Sequence, residues 1–419
     1  MVSSKKYQGI FLATSTSLMR TFSFLIAILR VLPLRLFWSK STVVNSYKLV
    51  GNLTYWDSIF SSRVPEFVAE TTSQTVLSWT EGPLWYENGL IFSDTIENKI
   101  FHLSLDFKNI RILEANSGDA LTDEMLWRAE PGSNGIANLR VTNSGHWVVV
   151  CQHGARRLVA LNLHTGQRVP LIEIADNGKR LNGPNDVIVR SESDGIFVYF
   201  TDPVYAWLEK DRFEDLPYLD MRVENDGPGY CGVYRSRINF DIKNPKEAMI
   251  QPNVELIAKM DRPNGIDFLK NPKNSDILVV SDCCQGKHKV SCQQGTSRWI
   301  FYQKKDNKYE HISTITDVSA PRGGCSDGFK SILGLHGENI LISSCSGGLC
   351  IVDVDKGQVV AKLLTGLDDH STDKKNEQVC KFSNVALSPR EIFLTGNCGI
   401  LKVPLQGAIR YDYGVENEL

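Results

Sequence analysis

The sequence of 419 residues lacks the features that mark a membrane-spanning, nucleic-acid-binding or zinc-stabilised protein. Its formal net charge of -2 gives no support for the clustered basic face that nucleic acid requires. It contains no uninterrupted run of about 20 apolar residues, the length that a spanning helix needs. The ten cysteines include no CxxC pair, which argues against a zinc module. What remains is an ordinary globular composition, with 42% hydrophobic residues available for a core.

The cysteines lie between Cys151 and Cys398, and two groups of them are close in sequence. Cys283, Cys284 and Cys292 share one polar segment, whereas Cys345 and Cys350 flank a Ser-Gly-Gly turn where strand pairing would bring them together. Disulfides in an oxidising compartment and small buried residues in a reducing one both fit this pattern.

Residues 1–56 contain no Asp or Glu and include a short apolar run over residues 22–29, which continues to residue 38 with Arg and Pro interruptions. This pattern predicts a targeting or membrane-anchor segment with a linker, and membrane association would involve residues 21–38. A glycosylation sequon at Asn52 adds support for secretion. We therefore expect the secretory pathway, with a secreted or membrane-anchored product. The absence of acids is also typical of a mitochondrial presequence, and a cytoplasmic location is the other alternative.

From about residue 76 the chain alternates short apolar strands with clusters of Gly, Asn, Asp and Ser, and shows no long stretch of helical periodicity. A strand-corner-strand unit recurs six times, with first strands that begin near residues 90, 147, 196, 277, 340 and 392. A spacing of about 60 residues has room for four short strands and their turns. We predict an all-β, six-bladed β-propeller over residues 76–410, with a lead-in at 57–75 and a tail at 411–419. A pair of β-sandwiches is the alternative.

Four polar corners carry an oxygen-bearing side chain directly before an apolar strand. They are Glu81, Asn185, Asn264 and Asp327. In a propeller, the inner strands converge on the axis, so these side chains would meet in one pocket. Two carboxylates and two carboxamides form a hard oxygen set that suits calcium, magnesium or manganese. The alternative interpretation is that each corner is ordinary Asn-Gly or Asp-Gly turn chemistry.

At these corners the chain resembles the senescence-marker-protein/gluconolactonase family and, more distantly, diisopropyl fluorophosphatase and the paraoxonases. The resemblance extends from about Trp79 to Leu405 and includes further motifs: Ser133-Asn134-Gly135-Ile136, Cys151-Gln152-His153-Gly154-Ala155-Arg156-Arg157, Tyr199-Phe200-Thr201-Asp202-Pro203 and Ser383-Asn384-Val385-Ala386. It implies a six-bladed propeller with one axial divalent cation held by Glu81, Asn185, Asn264 and Asp327. The ion expected is Ca²⁺, with Mg²⁺, Mn²⁺ or Zn²⁺ as alternatives, and the expected activity is ester or lactone hydrolysis.

Two positions depart from the family's pattern. The family commonly has Glu before the His-Gly pair, where this chain has Gln152, and Tyr-Gly where this chain has Tyr205-Ala206. Neither position belongs to the ligand set, so we expect differences in pocket lining and substrate.

The site predicts metal polarisation of a carbonyl and a catalytic role for Asp327. Asp327 would remove a proton from the attacking water or, alternatively, attack the carbonyl carbon itself. His153 is a candidate acid or base, or a structural histidine between blades. Asn134, Tyr205 and Arg322 are candidate substrate contacts, together with His153. Asp202 is interpreted as a turn former, and Asp282 as serving either the channel or a loop.

Three functions remain open at this stage. The first is a metal-dependent lactonase acting on a small-molecule lactone or ester. The second is an aryl-ester or phosphotriester hydrolase with the same site. The third is a non-catalytic or strictosidine-synthase-like propeller without metal. The presence of both carboxylates and both amides argues against this third function. No nucleic-acid partner is expected.

Overall fold

The computed structural model describes residues 47–406, apart from residues 73, 87–88, 120–127, 143–144, 208–218, 239–252, 284–296, 307, 318–324, 346–347 and 366–379. The described chain forms six antiparallel sheets. In each sheet, consecutive strands of the sequence are neighbours, as expected for the blades of a propeller. The predicted all-β, six-bladed β-propeller is therefore confirmed.

The first three blades each contain four strands in sequence order. Blade 1 consists of β3 (Thr80–Tyr86), β4 (Gly89–Asp94), β5 (Lys99–Leu103) and β6 (Ile110–Ala115). Blade 2 consists of β7 (Ile136–Thr142), β8 (Gly145–Gln152), β9 (Arg157–Asn162) and β10 (Arg168–Ile172). Blade 3 consists of β11 (Val187–Glu192), β12 (Gly195–Asp202), β13 (Cys231–Ile238) and β14 (Val254–Met260).

Blade 4 is also regular, whereas blades 5 and 6 each take one strand from the beginning of the described chain. Blade 4 consists of β15 (Pro263–Phe268), β16 (Ile277–Asp282), β17 (Ser297–Lys305) and β18 (Lys308–Asp317). Blade 5 consists of β19 (Phe329–Leu333), β20 (Asn339–Cys345), β21 (Gly348–Asp353), β22 (Gln358–Thr365) and, outermost, β1 (Tyr47–Gly51). Blade 6 consists of β23 (Phe382–Leu387), β24 (Glu391–Gly396), β25 (Ile400–Pro404) and, outermost, β2 (Glu66–Ala69).

The first strands of successive blades contact one another around a closed ring, since β3, β7, β11, β15, β19 and β23 each touch the next and β23 touches β3. The apolar core lies between blades. Trp147 of β8, for example, belongs to the same buried cluster as Phe200 of β12. Burial between blades explains why strands such as β8 are buried along their whole length rather than at alternate positions. The ring consequently places the starts of six strands at one end of one axis.

Among the described residues, three short helices accompany the strands: α1 (Leu53–Ile59), a 3₁₀ turn (Tyr205–Trp207) and α2 (Leu219–Asp226). The side chain of Asn52 caps α1 by accepting a hydrogen bond from the Tyr55 amide at 3.0 Å. Trp56 is fully buried in a cluster with residues of blades 5 and 6. Helix α1 thereby fixes the chain between β1 and β2 against two blades.

The described strands begin before the boundary that the sequence suggested. Residues 1–56 were assigned to an extension and 57–75 to a lead-in, whereas β1 and β2 lie in those ranges and complete two blades. The separate targeting segment stays a prediction, because residues 1–46 lie outside the described residues, as does the tail 411–419. Within the described residues, no helix is long and apolar enough to span a membrane.

Candidate metal centre

Every blade presents an oxygen-bearing side chain at the start of its first strand. The six corner residues are Glu81, Asn134, Asn185, Asn264, Asp327 and Asn384. The backbones of Asn134, Asn185 and Asp327 make equivalent hydrogen bonds to the second strands of their blades. The amides of Asn134 and Asn185 donate to the carbonyls of Cys151 and Thr201 on the second strand, both at 2.9 Å. The sequence had identified four of these corners as ligands and Asn134 as a substrate contact, and it had noted Asn384 only as part of a motif.

Hydroxyl groups on the second strands hold the corners in place. A Ser or Thr hydroxyl of one blade donates to the corner carbonyl of the next blade. Three such bonds join Ser93 to Asn134, Thr201 to Asn264 and Ser281 to Asp327, at 2.8, 2.6 and 2.7 Å. With the main-chain carbonyls fixed in this way, the corner side chains are pre-positioned toward the axis.

The ring is too tight for a side chain directly after some corners. Gly82 adopts the left-handed region at φ +50°, and a Cβ there would lie 2.2 Å from the Asn134 carbonyl oxygen. A Cβ on Gly328 would lie 2.0 Å from Cγ of Asn384. Both positions therefore require glycine for close contact between neighbouring blades.

The four predicted ligands are the corner residues of blades 1, 3, 4 and 5, at the same end of the ring. Glu81, Asn185 and Asn264 are 3–4% exposed, and Asp327 is partly exposed. The Asn264 side chain hydrogen-bonds to the Asp327 carboxyl, and Glu81 and Asp327 interact electrostatically. The Asn185 carbonyl accepts from the Gly135 amide at 2.7 Å. The side chains of Glu81, Asn264 and Asp327 thus interact with one another, and Asn185 occupies the corresponding corner of blade 3.

The electrostatics of this group disfavour two free carboxylates. Burial raises the pKa of the Glu81 carboxyl well above its usual range, and the negative charges of Asp327, Glu130 and Asp186 raise it further. Burial also raises the pKa of Asp327 well above its usual range, followed by the charges of Glu130 and Asp186. Among the described residues, no Lys or Arg forms an ion pair with either carboxyl. Such an acidic site is costly to bury without a compensating cation.

The donor set fits a hard divalent cation. It consists of carboxylate and carboxamide oxygens, which Ca²⁺ and Mg²⁺ prefer. Two further buried oxygens in the same region, Oδ1 of Asn134 and Oδ2 of Asp186, accept no hydrogen bond from the described residues. Glu81, Asn185, Asn264 and Asp327 stay the predicted ligands, and unsatisfied acceptors lie beside them.

Glu130 is a third carboxyl of this site that the sequence reasoning missed. It interacts electrostatically with Glu81 and Asp327, and burial raises its pKa to about 7. Its Oε2 lies 3.7 Å from Nε2 of His153. The signal in the sequence was an acid four residues before the Asn134 corner, in a Glu-Pro-Gly-Ser loop that reads as an ordinary turn.

His153 is completely buried, and burial lowers its pKa to about 4, with the nearby Arg128 charge acting in the same direction. Its Nδ1 donates to the Pro184 carbonyl at 3.1 Å, which assigns the proton of the neutral ring to Nδ1. Nε2 then faces Glu130 as an acceptor. The structure shows the linking position of His153, whose ring bonds to the chain that leads into blade 3, and its role as an acid or base stays a prediction.

Tyr205 and Arg322, the two remaining residues predicted to contact the substrate, have different outcomes. Tyr205 lies in the 3₁₀ turn, where burial raises the pKa of its hydroxyl well above the usual range, and its neighbours include Arg262, Asp327 and Asn264. Tyr205 therefore belongs to the site region. Arg322 lies outside the described residues.

Two other acidic residues hold loops in place through hydrogen bonds to their carboxyl groups. Asp202 accepts from the amides of Asn182 and Gly183 at 2.8 and 2.7 Å, in agreement with its interpretation as a turn former. Asp282 accepts from the Arg262 amide at 2.9 Å and pairs with Arg298, so its carboxyl holds a loop.

The two departures from the family's pattern have local explanations. Gln152 is 1% exposed, donates to the Ser117 carbonyl at 2.8 Å and accepts from Arg157 at 2.7 Å. Both ends of the Gln152 amide are thus occupied by hydrogen bonds beside the site. Ala206 is buried, and its Cβ would lie only 2.4 Å from a Cβ added at position 183. Because residue 183 is glycine, there is room for the methyl group of Ala206.

Three disulfides are present among the described residues: Cys283–Cys325, Cys345–Cys350 and Cys380–Cys398. The pairing of Cys345 with Cys350 follows the expectation from their turn. Cys283 joins Cys325 instead of a cysteine in its own segment, and Cys284 and Cys292 lie outside the described residues. The Asn264 amide nitrogen lies 3.6 Å from Cys283 Sγ, so this disulfide adjoins the candidate ligands.

No protein-family model matches the chain, and no curated protein matches it either. Solved structures do match. A protein provisionally assigned as a gluconolactonase is 19% identical with a TM-score of 0.57, over 87% of this chain and 100% of that one. Regucalcin from Agrobacterium tumefaciens, described as a calcium-binding protein, is 13% identical with a TM-score of 0.47, over 84% and 95% of the two chains. A luciferin-regenerating enzyme is 13% identical with a TM-score of 0.47, over 82% and 96%. The first of these matches shows that the chain shares the six-bladed β-propeller fold of the protein assigned as a gluconolactonase.

Proposed function

We propose that the protein is a divalent-metal-dependent hydrolase that opens a lactone. The observation that carries this proposal is the group of two carboxyls, the buried Glu81 and the partly exposed Asp327, and two amides at one end of the axis. Within the described residues, no basic side chain pairs with these carboxyls. A Ca²⁺ ion would balance their charge and complete a site of the kind that polarises an ester carbonyl. The fold shared with a protein assigned as a gluconolactonase is consistent with this reaction.

In this proposal, the four candidate ligands have different chemical roles. Glu81, Asn185, Asn264 and Asp327 hold the cation. A bound divalent cation supplies Lewis acidity and stabilises the negative oxygen that develops on the carbonyl. Asn185 and Asn264 do not titrate, so they bind without competing for a proton. Asp327 accepts the proton of the attacking water, a contribution of about 10² to 10⁴ in rate. The hydrogen bond from Asn264 orients the Asp327 carboxyl to accept this proton.

We assign the opposite proton transfer to Glu130. When water adds to the carbonyl carbon and the ring C–O bond breaks, the departing oxygen requires a proton. Burial raises the pKa of Glu130 to about 7, so its acid form is present near neutral pH, and its Oε2 lies 3.7 Å from Nε2 of His153. Glu130 returns to the acid form by taking a proton from solvent, while Asp327 releases the proton that it took from water.

We also propose an oxidising compartment for the protein, in the secretory pathway. Three disulfides among the described residues support this location, because such bonds persist mainly in secreted proteins. The involvement of residues 21–38 in membrane association stays a prediction.

A lactone panel with metal stripped and restored tests the function. We expect hydrolysis of gluconolactone or dihydrocoumarin to disappear with chelation and to return with Ca²⁺, with slower hydrolysis of a phosphotriester. Glu81→Gln should lose the rise in melting temperature that Ca²⁺ gives the unchanged protein. Binding of Ca²⁺ without hydrolysis of any of these substrates would contradict the enzyme, and equal melting temperatures with and without Ca²⁺ would contradict the metal site.

A further inference from the structure

The first strands of the ring enclose a second space beyond the corners. A cavity of about 410 Å³ lies there, lined by residues from the first strands of all six blades. Its lining begins where the corners end: Pro83 and Val187, for example, each follow a corner residue by two positions along their strands. None of the four predicted metal ligands lines it. The cavity is therefore a second compartment of the same axis.

The cavity has the volume of a small-molecule site, and its wall is polar and apolar in about equal parts. Ligand pockets in proteins are concave, about 300–1,000 Å³ in volume and mostly apolar, with a few placed polar groups. Here the apolar wall includes Leu84, Trp85, Val189, Phe268 and Leu387. Trp85 is itself held in place, since its ring stacks on Phe393 with centroids 5.4 Å apart.

The charged lining favours an anion, with three cationic side chains and one carboxylate. The carboxylate, Asp267, is engaged by Lys270 Nζ at 3.0 Å and by the Ser331 amide at 2.9 Å. Arg190 lies 4.2 Å above the Phe268 ring. Its acidic partner, Asp276, has a side chain that is 70% exposed, so solvent screens that pair.

Lys330, the third cation of the lining, is contributed by β19. It interacts electrostatically with Asp186, which is buried between the cavity and the corners. The lining therefore combines an apolar wall with three cationic side chains and one carboxylate, and the acidic partners of Arg190 and Lys330, Asp276 and Asp186, lie outside the lining.

We propose that this cavity binds a small organic monoanion, with its carboxylate at Lys330 and Arg190 and its apolar body against Leu84, Trp85 and Phe268. A carboxylate beside two cations gains charge-assisted hydrogen bonds, while an aromatic or aliphatic body removes the apolar wall from water. This second site is distinct from the proposed hydrolytic site and requires neither metal nor turnover.

The probe is 4-nitrobenzoate, whose nitro-aromatic ring quenches tryptophan fluorescence and whose heat of binding is measured in parallel by calorimetry. We expect saturable 1:1 binding, with Trp85→Phe removing most of the quenching but little of the heat. Lys330→Met should weaken binding about tenfold or more, whereas Lys330→Arg should retain it. Leu84→Trp should block binding by filling the cavity without changing its charge. Lys305→Met, which changes an exposed lysine on the hairpin of β17 and β18, is the matched control.

The measurements are repeated on Asp327→Asn, where equal affinity would separate this site from the hydrolytic one. Absence of saturable binding would overturn the proposal. So would equal affinity for 4-nitrobenzyl alcohol, or equal affinity in the Lys330→Met and Leu84→Trp variants. None of these outcomes depends on whether the protein hydrolyses a lactone.

Discussion

Asp327 differs from the other candidate ligands because it combines a negative charge with partial exposure at the axis. In Asp327→Asn, an amide oxygen still faces the cation, but no group remains to accept a proton from water. We expect turnover of the best lactone to fall about a hundredfold or more, with folding retained and Ca²⁺ binding weakened only moderately. Steady-state kinetics and calcium calorimetry on the same preparation check this.

Asp306→Asn, in the exposed turn between β17 and β18, is the matched control and should keep full turnover. If Asp327→Asn retained activity close to that of the unchanged protein, neither the base nor the nucleophile role of Asp327 would hold.

The buried His153 predicts a dependence of stability on pH. Its pKa is about 4 in the folded protein and 6.5 when exposed, so between these values the unfolded chain binds a proton that the folded protein excludes. Its contribution to stability is therefore complete above pH 6.5 and is lost as the pH falls toward 4. From pH 7.5 to 5 the loss amounts to about 2 kcal/mol.

Urea unfolding at the two pH values compares His153→Gln, in which this part of the loss should disappear, with His311→Gln, an exposed histidine that should leave it unchanged. The same pH dependence in both variants would show that other groups are responsible.

At the level of residues, the sequence was informative where function and turn chemistry coincide. Asn264 and Asp327 each precede glycine at the start of an apolar strand, which made the corners visible. No glycine or apolar strand directly follows Glu130 to mark it in the sequence. Its place in the site depends on the fold of the loop that brings it close to His153. The role of Gln152 was equally hidden, since it depends on the positions of Ser117 and Arg157, which only the folded blade brings together.

At the level of elements, the contact between adjacent corners predicts which glycines tolerate a methyl group. Gly82 and Gly357 both have positive φ values, +50° and +67°, but only Gly82 meets a neighbour, and nothing lies within 4 Å of a Cβ on Gly357. Gly357→Ala should cost about 1 kcal/mol through its backbone conformation. Gly82→Ala should cost about 1–3 kcal/mol more, because the Asn134 carbonyl must move.

Denaturant midpoints measure this difference, and calcium affinity should fall for Gly82→Ala alone. Equal destabilisation in the two variants would indicate that the ring yields to the added methyl group.

The central strands were predictable because they are short, apolar and bounded by turn residues. The outermost strands were less so. In β1 the residues are half-buried or exposed, so its sequence shows neither the alternation nor the apolar run of a core strand. Its place in blade 5 is decided by pairing with β22, a contact about 310 residues away in the chain.

At the level of the whole molecule, α1 joins the two blades that close the ring. Trp56 is fully buried against blades 5 and 6, so Trp56→Ala should cost about 3–5 kcal/mol. Leu53→Ala, at a position that is 40% exposed on the same helix, should change stability by no more than about 0.5 kcal/mol.

Thermal unfolding followed by circular dichroism compares the two variants. A small effect of Trp56→Ala would mean that blades 5 and 6 are held together without α1.

Blade 6 joins Glu66–Ala69 to Ile400–Pro404, so strands from opposite ends of the sequence share one sheet. During synthesis, the first of these strands emerges from the ribosome long before its partner exists. At about 5–20 residues per second, the interval is of the order of a minute or less. Throughout that interval an unpaired edge remains exposed to other nascent chains. Blade 6 can therefore be completed only after Pro404 has been synthesised, so closure of the ring must await the last strand.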